Sequence, residues 1–313
     1  AKLGTHFDRL YFESEVFGSG KKLVEEGLEK GIFKSSEGAI IFEGSAHGLH
    51  DRVFINSQGF PTYEAKDMGL AQLHFSEYKP SQVIHVVGKE QADYFQVVFK
   101  ALAELSPETE GKEYHLVGGY LQLKGEQKMS SRKGNVVAGD ELIRMVESRV
   151  REIMKDRELD QKEDITRKVA ISALKYSMLK VNASQDISFD IKESISTSGD
   201  SGPYLLYMVT RIQSILNKVS EQTEPAPFNI RENNVSLTQE EKDVLLELVA
   251  FPEHTKKAVE EYDPSVIAKY IYGLAQTFNK FYQACPVLEA EQNARTFRVQ
   301  LIKSVDTVMR RGL

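Results

Sequence analysis

Three cations, two hydroxyl groups and a glycine lie close together in the segment from residue 128 to residue 135, whose sequence is KMSSRKGN. Ammonium, guanidinium and hydroxyl groups donate hydrogen bonds to phosphate oxygens, and a flexible loop lets backbone amides join them. Charge alone favours another interpretation, because most basic clusters are solvated surface loops. The segment is therefore a candidate phosphate site that needs support from other parts of the chain.

KMSSRKGN resembles the KMSKS signature of class I aminoacyl-tRNA synthetases, in the form seen in many arginine enzymes. Ser131 stands where the signature has its second lysine. The late phosphate contact then falls to Arg132 or Lys133, and both alternatives stay open. The resemblance implies catalytic roles for Lys128, Ser130, Arg132 and Lys133, and ATP contacts for Lys128, Met129 and Ser131.

A second segment, GFPTYEAKD at residues 59–67, resembles the G-x-PTY-x-x-x-D segment of arginyl-tRNA synthetases. Tyr63 and Asp67 are four residues apart, so on a helix they face the same side. The resemblance implies that Asp67 pairs with the guanidinium of arginine and that Tyr63 supplies an aromatic wall. Without the resemblance, a capped helix with an exposed acid and a half-buried tyrosine is the preferred interpretation.

A third segment, VVGKEQ at residues 86–91, resembles the strand-end motif near the ATP ribose and the amino acid in that family. Gly88 allows a ligand to approach the backbone. The resemblance assigns Gly88 and Glu90 to ATP and Gln91 to arginine, although GKEQ alone has little specificity. We assign no metal ligands, and we expect Mg²⁺ to accompany ATP.

The C-terminal part resembles the stem and anticodon-domain helices of the same family, at ALKY (173–176), GPYLLY (202–207), FNKFY (278–282) and CPVL (285–288). Helical spacing groups Tyr204, Tyr207, Arg211 and Lys218 on one face. Aromatic rings stack on unpaired RNA bases and cations hold phosphates, so this face is predicted to bind tRNA. Packing in a bundle core is an equally good interpretation for Tyr207, because its neighbours are apolar.

Class I synthetases also need a HIGH-type motif, whose histidines contact ATP phosphates at a helix N-terminus. None of the seven histidines lies in such a sequence, and AHGLH at residues 46–50 has a superficial likeness only. In the family this motif would lie upstream of residue 1. We therefore expect a fragment of a longer protein that is inactive alone.

The hydrophobic periodicity predicts an α/β region followed by an all-α region. Helices are predicted at residues 21–30, 62–75 and 91–105, with Thr62 as a cap, and strands at 39–43, 52–56, 82–87 and 116–123. Six later helices are predicted at 140–156, 165–183, 202–222, 238–262, 264–284 and 289–311, with an exposed loop at 223–234. The resemblance implies that residues 1–145 are the second half of a Rossmann-type catalytic domain and that 146–313 are a helical-bundle anticodon-binding domain.

Composition excludes little. The net charge of −6 neither supports nor refutes an RNA partner, because RNA contacts depend on local basic patches. No apolar run is long enough to cross a bilayer. Cys285 is the single cysteine and cannot form an intrachain disulfide, which is typical of a reducing, cytoplasmic setting.

The resemblance implies an arginine–tRNA ligase whose partners are ATP, L-arginine and arginine tRNA, with no membrane and as a monomer. Three alternatives remain. The chain could be a tRNA-binding module with an inert catalytic remnant. It could be another class I synthetase, such as the cysteine or glutamate enzyme, although a single cysteine is too few for the zinc ligands of the former. It could be a nucleotide-binding protein without tRNA, which the long helical half with paired aromatics disfavours.

Overall fold

The computed structural model describes residues 2–124, 137–220 and 236–313. They form two compact units, Ala1–Tyr120 and Leu121–Leu313. The candidate phosphate loop lies outside the described residues, so the roles of Lys128, Met129, Ser130, Ser131, Arg132 and Lys133 stay predictions. The whole loop predicted at residues 223–234 also lies outside the described residues and stays a prediction. The domain boundary predicted after residue 145 also stays a prediction.

The first unit combines two small sheets with three helices. Strands β1 (Lys34–Ser36), β2 (Ala39–Phe42) and β3 (Arg52–Ile55) form an antiparallel sheet, and β4 (Val83–Gly88) pairs in parallel with β5 (Glu113–Gly118). The helices are α1 (Glu13–Glu29), α2 (Tyr63–Tyr78) and α3 (Ala92–Leu105). Because α3 is the crossover between two parallel strands, the carboxyl ends of β4 and β5 meet at one edge.

Helix α1 begins at Glu13, eight residues before the predicted start. The glycines in its first turns are weak helix formers, so the sequence pattern does not predict a helix there. One of them is required by packing, since a Cβ atom on Gly20 would lie 2.1 Å from the carbonyl oxygen of Ala65 in α2. Helix α2 matches its prediction closely, but the Thr62 hydroxyl does not cap it. That hydroxyl donates to the carbonyl oxygens of Val53 and Phe54 instead.

The second unit is mainly helical. A short parallel pair joins β6 (Leu121–Leu123) to β7 (Ile187–Phe189). The helices are α4 (Gly139–Ile153), α5 (Lys162–Leu179), α6 (Ile191–Ser194), α7 (Gly202–Ser220), α8 (Gln239–Glu260), α9 (Ser265–Ala284) and α10 (Gln292–Gly312). The six predicted helices are confirmed with small shifts of their ends. The predicted strand at 116–123 is two strands in different sheets, divided at Gly119 and Tyr120 between β5 and β6.

Two hydrophobic cores hold the second unit together. One packs α4 and α5 against the β6–β7 pair, with Val146, Leu174 and Phe189 buried at its centre. The larger one joins α7, α8, α9 and α10, and its buried centre includes Leu205 and Phe278. The strand pair belongs to the first of these cores. In the described part of the chain, no helix is long and apolar enough to cross a membrane.

Candidate functional site

Helix α2 carries Asp67 on the side that faces α3. The Asp67 carboxylate is partly buried, and the Tyr94 hydroxyl donates a hydrogen bond of 2.6 Å to its Oδ2 atom. Burial raises the pKa of Asp67, and the hydrogen bond from Tyr94 opposes that rise. Burial is also the main cause that raises the pKa of Tyr94, and the nearby Asp67 charge raises it further. An exposed helix-surface acid is therefore the wrong description of Asp67.

Tyr63 lies one helical turn before Asp67, and its ring is 65% exposed. The Lys66 ammonium lies 4.8 Å from the ring centroid and forms an ion pair of 2.7 Å with Glu13 of α1. A cation over the ring shows that this aromatic surface can accept positive charge. The sequence does not point to Glu13, because Glu13 contacts Lys66 from a different helix and no local residue spacing predicts that contact.

The Tyr94 ring is held from a second side by Arg52 of β3. The Arg52 guanidinium carbon lies 5.4 Å from the ring centroid, and its Nη1 atom donates to Glu64 at 3.3 Å. Tyr94 therefore lies between a stacked guanidinium and the Asp67 carboxylate. No local sequence pattern points to Tyr94 or Arg52, since both contacts join distant segments.

At the carboxyl end of β4, the Glu90 side chain folds back over Gly88. A Cβ atom on Gly88 would lie 2.4 Å from Glu90 Oε2, so this folding requires the glycine. The Tyr120 hydroxyl donates to the same oxygen at 2.6 Å, and this bond lowers the pKa of Glu90. An exposed, ionised carboxylate at a strand end can accept hydrogen bonds from ligand hydroxyls.

Gln91 is the N-cap residue of α3, next to Glu90, and its side chain is hydrogen-bonded to the Glu90 carboxylate. Tyr94 lies one turn further along the same helix and reaches Asp67. The structure thus brings the predicted residues Asp67, Glu90 and Gln91 to the N-terminal end of α3. This is the edge where the two parallel strands end, as the βαβ arrangement requires.

In the second unit, a groove of about 440 Å³ is lined by α7, by Tyr282 of α9 and by residues 286–289 after α9, which include Glu289. The Arg211 guanidinium lies 4.8 Å from the Tyr207 ring centroid and 5.3 Å from that of Tyr282. It donates to Asn279 Oδ1 at 2.7 Å and also to the Tyr207 hydroxyl. Two exposed rings are therefore joined by one cation. The interpretation of Tyr207 as a core residue is wrong, because its side chain is 44% exposed.

Lys218 also lines this groove, two turns beyond Arg211, and is exposed. Tyr204 does not line it. The Tyr204 ring packs against the core with its edge toward Tyr272, at 5.7 Å between ring centroids, and burial raises its pKa. The predicted face is thus divided, with Tyr207, Arg211 and Lys218 on the groove.

Asn279 and Tyr282 extend the site beyond the four residues predicted for it. They lie three residues apart in the FNKFY segment of α9, a spacing that puts them on one helix face. The segment carries part of the family resemblance, but its residue spacing does not show that α9 faces α7. Within the described ranges, no group of three or more His, Cys, Asp or Glu side chains is arranged to hold a metal ion.

Comparisons with known proteins agree across both units. Residues 13–191 match the family model "tRNA synthetases class I (R), catalytic domain", and residues 205–313 match "DALR anticodon binding domain". The chain is 36% identical to the arginine–tRNA ligase of Bacteroides thetaiotaomicron, over 100% of this chain and 53% of that protein. It is 33% identical to the ligase of Treponema denticola, over 100% of this chain and 54% of that protein.

A solved structure gives the same result. The arginyl-tRNA synthetase of Thermus thermophilus superposes with a TM-score of 0.84 and 27% sequence identity, covering 100% of this chain and 59% of that one. The chain therefore spans about half the length of the curated relatives it matches.

Proposed function

Because the chain belongs to the arginyl-tRNA synthetase family, we propose that it carries the arginine-binding, ribose-binding and tRNA-binding parts of an arginine–tRNA ligase. In the whole enzyme, a carboxylate oxygen of arginine attacks the α-phosphorus of ATP, which yields arginyl-adenylate and releases pyrophosphate. A hydroxyl of the terminal tRNA ribose then attacks the arginyl carbonyl carbon, and AMP leaves. The protein contributes mainly placement and charge stabilisation to these steps.

The observation that best supports this proposal is the environment of Asp67. Its carboxylate is desolvated, and the donor bound to Oδ2 is a neutral hydroxyl, which leaves the negative charge in place. A planar guanidinium can bind such a carboxylate through two parallel hydrogen bonds. The ammonium of lysine is a point charge and cannot reproduce both bonds, so the site should prefer arginine. Tyr63 and Gln91 complete the proposed arginine site.

For the nucleotide, Gly88 would allow the Glu90 carboxylate to fold over the strand end, where Glu90 would accept hydrogen bonds from the ribose hydroxyls. The predicted loop residues Lys128, Arg132 and Lys133 would neutralise the phosphates, helped by Ser130, Ser131 and Met129. Mg²⁺ is proposed as the counter-ion that ATP brings with it.

For the tRNA, the groove of α7 and α9 offers the rings of Tyr207 and Tyr282 to unpaired bases. Arg211 and Lys218 would meet the flanking phosphates. Tyr204, which packs behind this face, would support it. We further propose a cytoplasmic, monomeric protein.

The proposal is tested by calorimetric titration of the chain with arginine and with lysine. Arginine should bind at least about tenfold more tightly, a difference of roughly 1.4 kcal/mol, since only arginine satisfies both carboxylate oxygens. Equal affinities, or no arginine binding, would contradict the assignment of Asp67, Tyr63 and Gln91.

The groove also supports a second candidate, in which these 313 residues act as a tRNA-binding module. The calorimetric titration separates the two, because a module with an inert catalytic remnant should not bind arginine. Arginine-dependent ATP–pyrophosphate exchange tests instead whether the chain is a catalyst by itself. We expect no appreciable exchange from this chain alone, because its sequence holds no HIGH-type motif for the ATP phosphates. Robust exchange would show that the chain is a catalyst by itself and would refute that expectation.

A further inference from the structure

Tyr94 is fixed on several sides. It is the third residue of α3, its hydroxyl donates to Asp67 Oδ2 at 2.6 Å, and the Arg52 guanidinium stacks on its ring at 5.4 Å. Phe95 meets the same ring edge-on, with 5.1 Å between the ring centroids. The ring also packs against the hydrophobic core of the first unit. A donor held in this way has little freedom to turn, so it determines where the Asp67 carboxylate points.

The chemistry of the donor matters as much as its place. A phenol hydroxyl has one proton to donate, so it occupies one lone pair of Asp67 and leaves Oδ1 for another ligand. The hydroxyl is neutral, so it orients the carboxylate without cancelling its charge. A lysine or arginine at this position would neutralise the acid and compete with a cationic ligand.

We propose that Tyr94 is a positioning residue for arginine, whose hydroxyl orients the Asp67 carboxylate and keeps it ionised for the guanidinium. This inference rests on the proposed function, because it assumes that Asp67 binds arginine. Tyr94 itself need not touch the substrate.

The electrostatics of the site predict a specific signature. Burial raises the pKa of Asp67, and the hydrogen bond from Tyr94 opposes that rise. Without the Tyr94 hydroxyl, less opposes the effect of burial, so the pKa of Asp67 rises further. Asp67 is then protonated at a higher pH, and arginine binding is lost at a higher pH when the solution is acidified. The other charged or titratable groups near Asp67 and Tyr94, which stay the same in both proteins, are Glu64 on α2, Arg52 on β3, His85 on β4 and Glu113 on β5.

The test is calorimetric titration of the chain with arginine between pH 5 and pH 8, for the wild type and for Tyr94→Phe. The variant keeps the ring and its stacking, and circular dichroism should confirm that it folds. Arginine should bind about tenfold more weakly at pH 7, as expected for loss of a hydrogen bond to a charged group. The acid limb of the affinity profile should also move upward by about one pH unit.

Tyr176→Phe is the matched control. The Tyr176 hydroxyl also donates to a carboxylate, Asp200 Oδ1 at 2.5 Å, but Tyr176 is a buried residue of α5 in the second unit. This variant should keep both the affinity for arginine and the pH profile of the wild type. In an Asp67→Asn background, Tyr94→Phe should cause no further loss of arginine affinity.

The outcomes separate the two claims. If the wild type does not bind arginine, the proposed function fails. If the wild type binds and Tyr94→Phe stays within twofold at every pH, the role of Tyr94 is refuted while the arginine site stands. A loss of equal size at every pH, with an unmoved acid limb, would also refute it, because packing alone produces that pattern.

Discussion

At the scale of single residues, Asp67 shows how a neutral donor and burial prepare a carboxylate for a cation. Burial destabilises the ionised form of the carboxylate, and an ion pair with a bound guanidinium would offset that destabilisation. The same burial has a consequence for stability. The pKa of Asp67 is raised in the folded state, so the protonated side chain favours folding and the ionised side chain favours unfolding. The free energy of unfolding therefore falls as the pH rises from the ordinary pKa of an aspartate through the raised value.

Asp67→Asn should separate binding from stability. The amide oxygen can still accept the Tyr94 hydrogen bond but has no charge for a guanidinium. Arginine binding should weaken by roughly 2–4 kcal/mol, the scale for loss of one partner of a buried charge pair. The free energy of unfolding at pH 7 should not fall, because a costly buried charge is gone. Calorimetric titration and chemical denaturation measure the two quantities.

The neighbouring variant Asp93→Asn serves as the control, because Asp93 is exposed in the first turn of α3. It should bind arginine as the wild type does. An Asp67→Asn protein whose arginine affinity stays within a few-fold of the wild type would leave Asp67 without a role in recognition.

At the scale of elements, the position of α2 depends on its close packing against α1. Two glycines make this approach possible. A Cβ atom on Gly20 would lie 2.1 Å from the Ala65 carbonyl oxygen, and one on Gly69 would lie 2.7 Å from that of Val16. Both neighbours are backbone atoms, which cannot turn aside. The helix that carries Tyr63 and Asp67 is therefore positioned by residues with no side chains.

Gly20→Ala should destabilise the protein by about 1–3 kcal/mol, the range for overpacking a tight core. Gly18→Ala, in the same helix, has open space around the added methyl group. It should stabilise the protein by about 0.5–1 kcal/mol, because alanine favours helix. Urea denaturation of both variants measures the difference. Two variants of equal stability would mean that α1 and α2 do not pack this closely.

At the scale of the whole molecule, an acidic protein is proposed to bind a polyanion. The net charge of −6 is repulsive at long range, so the RNA must be attracted by a local surface. The groove of α7 and α9 provides Arg211 and Lys218 beside two exposed rings. Binding through a few phosphate contacts against a repulsive background should be weak and steeply dependent on salt.

Lys218→Ala should weaken binding of arginine tRNA and reduce the slope of log affinity against log salt by about one, as expected for loss of one phosphate contact. Titration of labelled tRNA with the chain at several salt concentrations gives the slope. Lys256→Ala is the control, because Lys256 is exposed on α8 and does not line the groove. Binding that does not depend on salt would exclude the groove as a phosphate-binding surface. Equal slopes for the wild type, Lys218→Ala and Lys256→Ala would exclude it as well.

Local patterns in the sequence predict most of the elements and the family. Helices such as α3 and α9 have strong 3.6-residue periodicity, and β4 is a β-branched run ending in glycine, so local patterns were enough to predict them. The motifs at residues 59–67 and 86–91 also indicated the family, because each lies within one continuous stretch of chain. The signal failed where local preference and packing disagree, as at the glycine-rich start of α1 and the divided strand around Gly118.

Which side chains meet depends instead on how the helices and strands pack. Tyr94 reaches Asp67 across 27 positions, and Arg211 reaches Asn279 across 68. No local periodicity encodes such distances, because they follow from how α2 packs on α3 and α7 on α9. Helical spacing put Tyr204 and Tyr207 on one face, but burial divided them, since one side of that face packs into the bundle core and the other borders the groove.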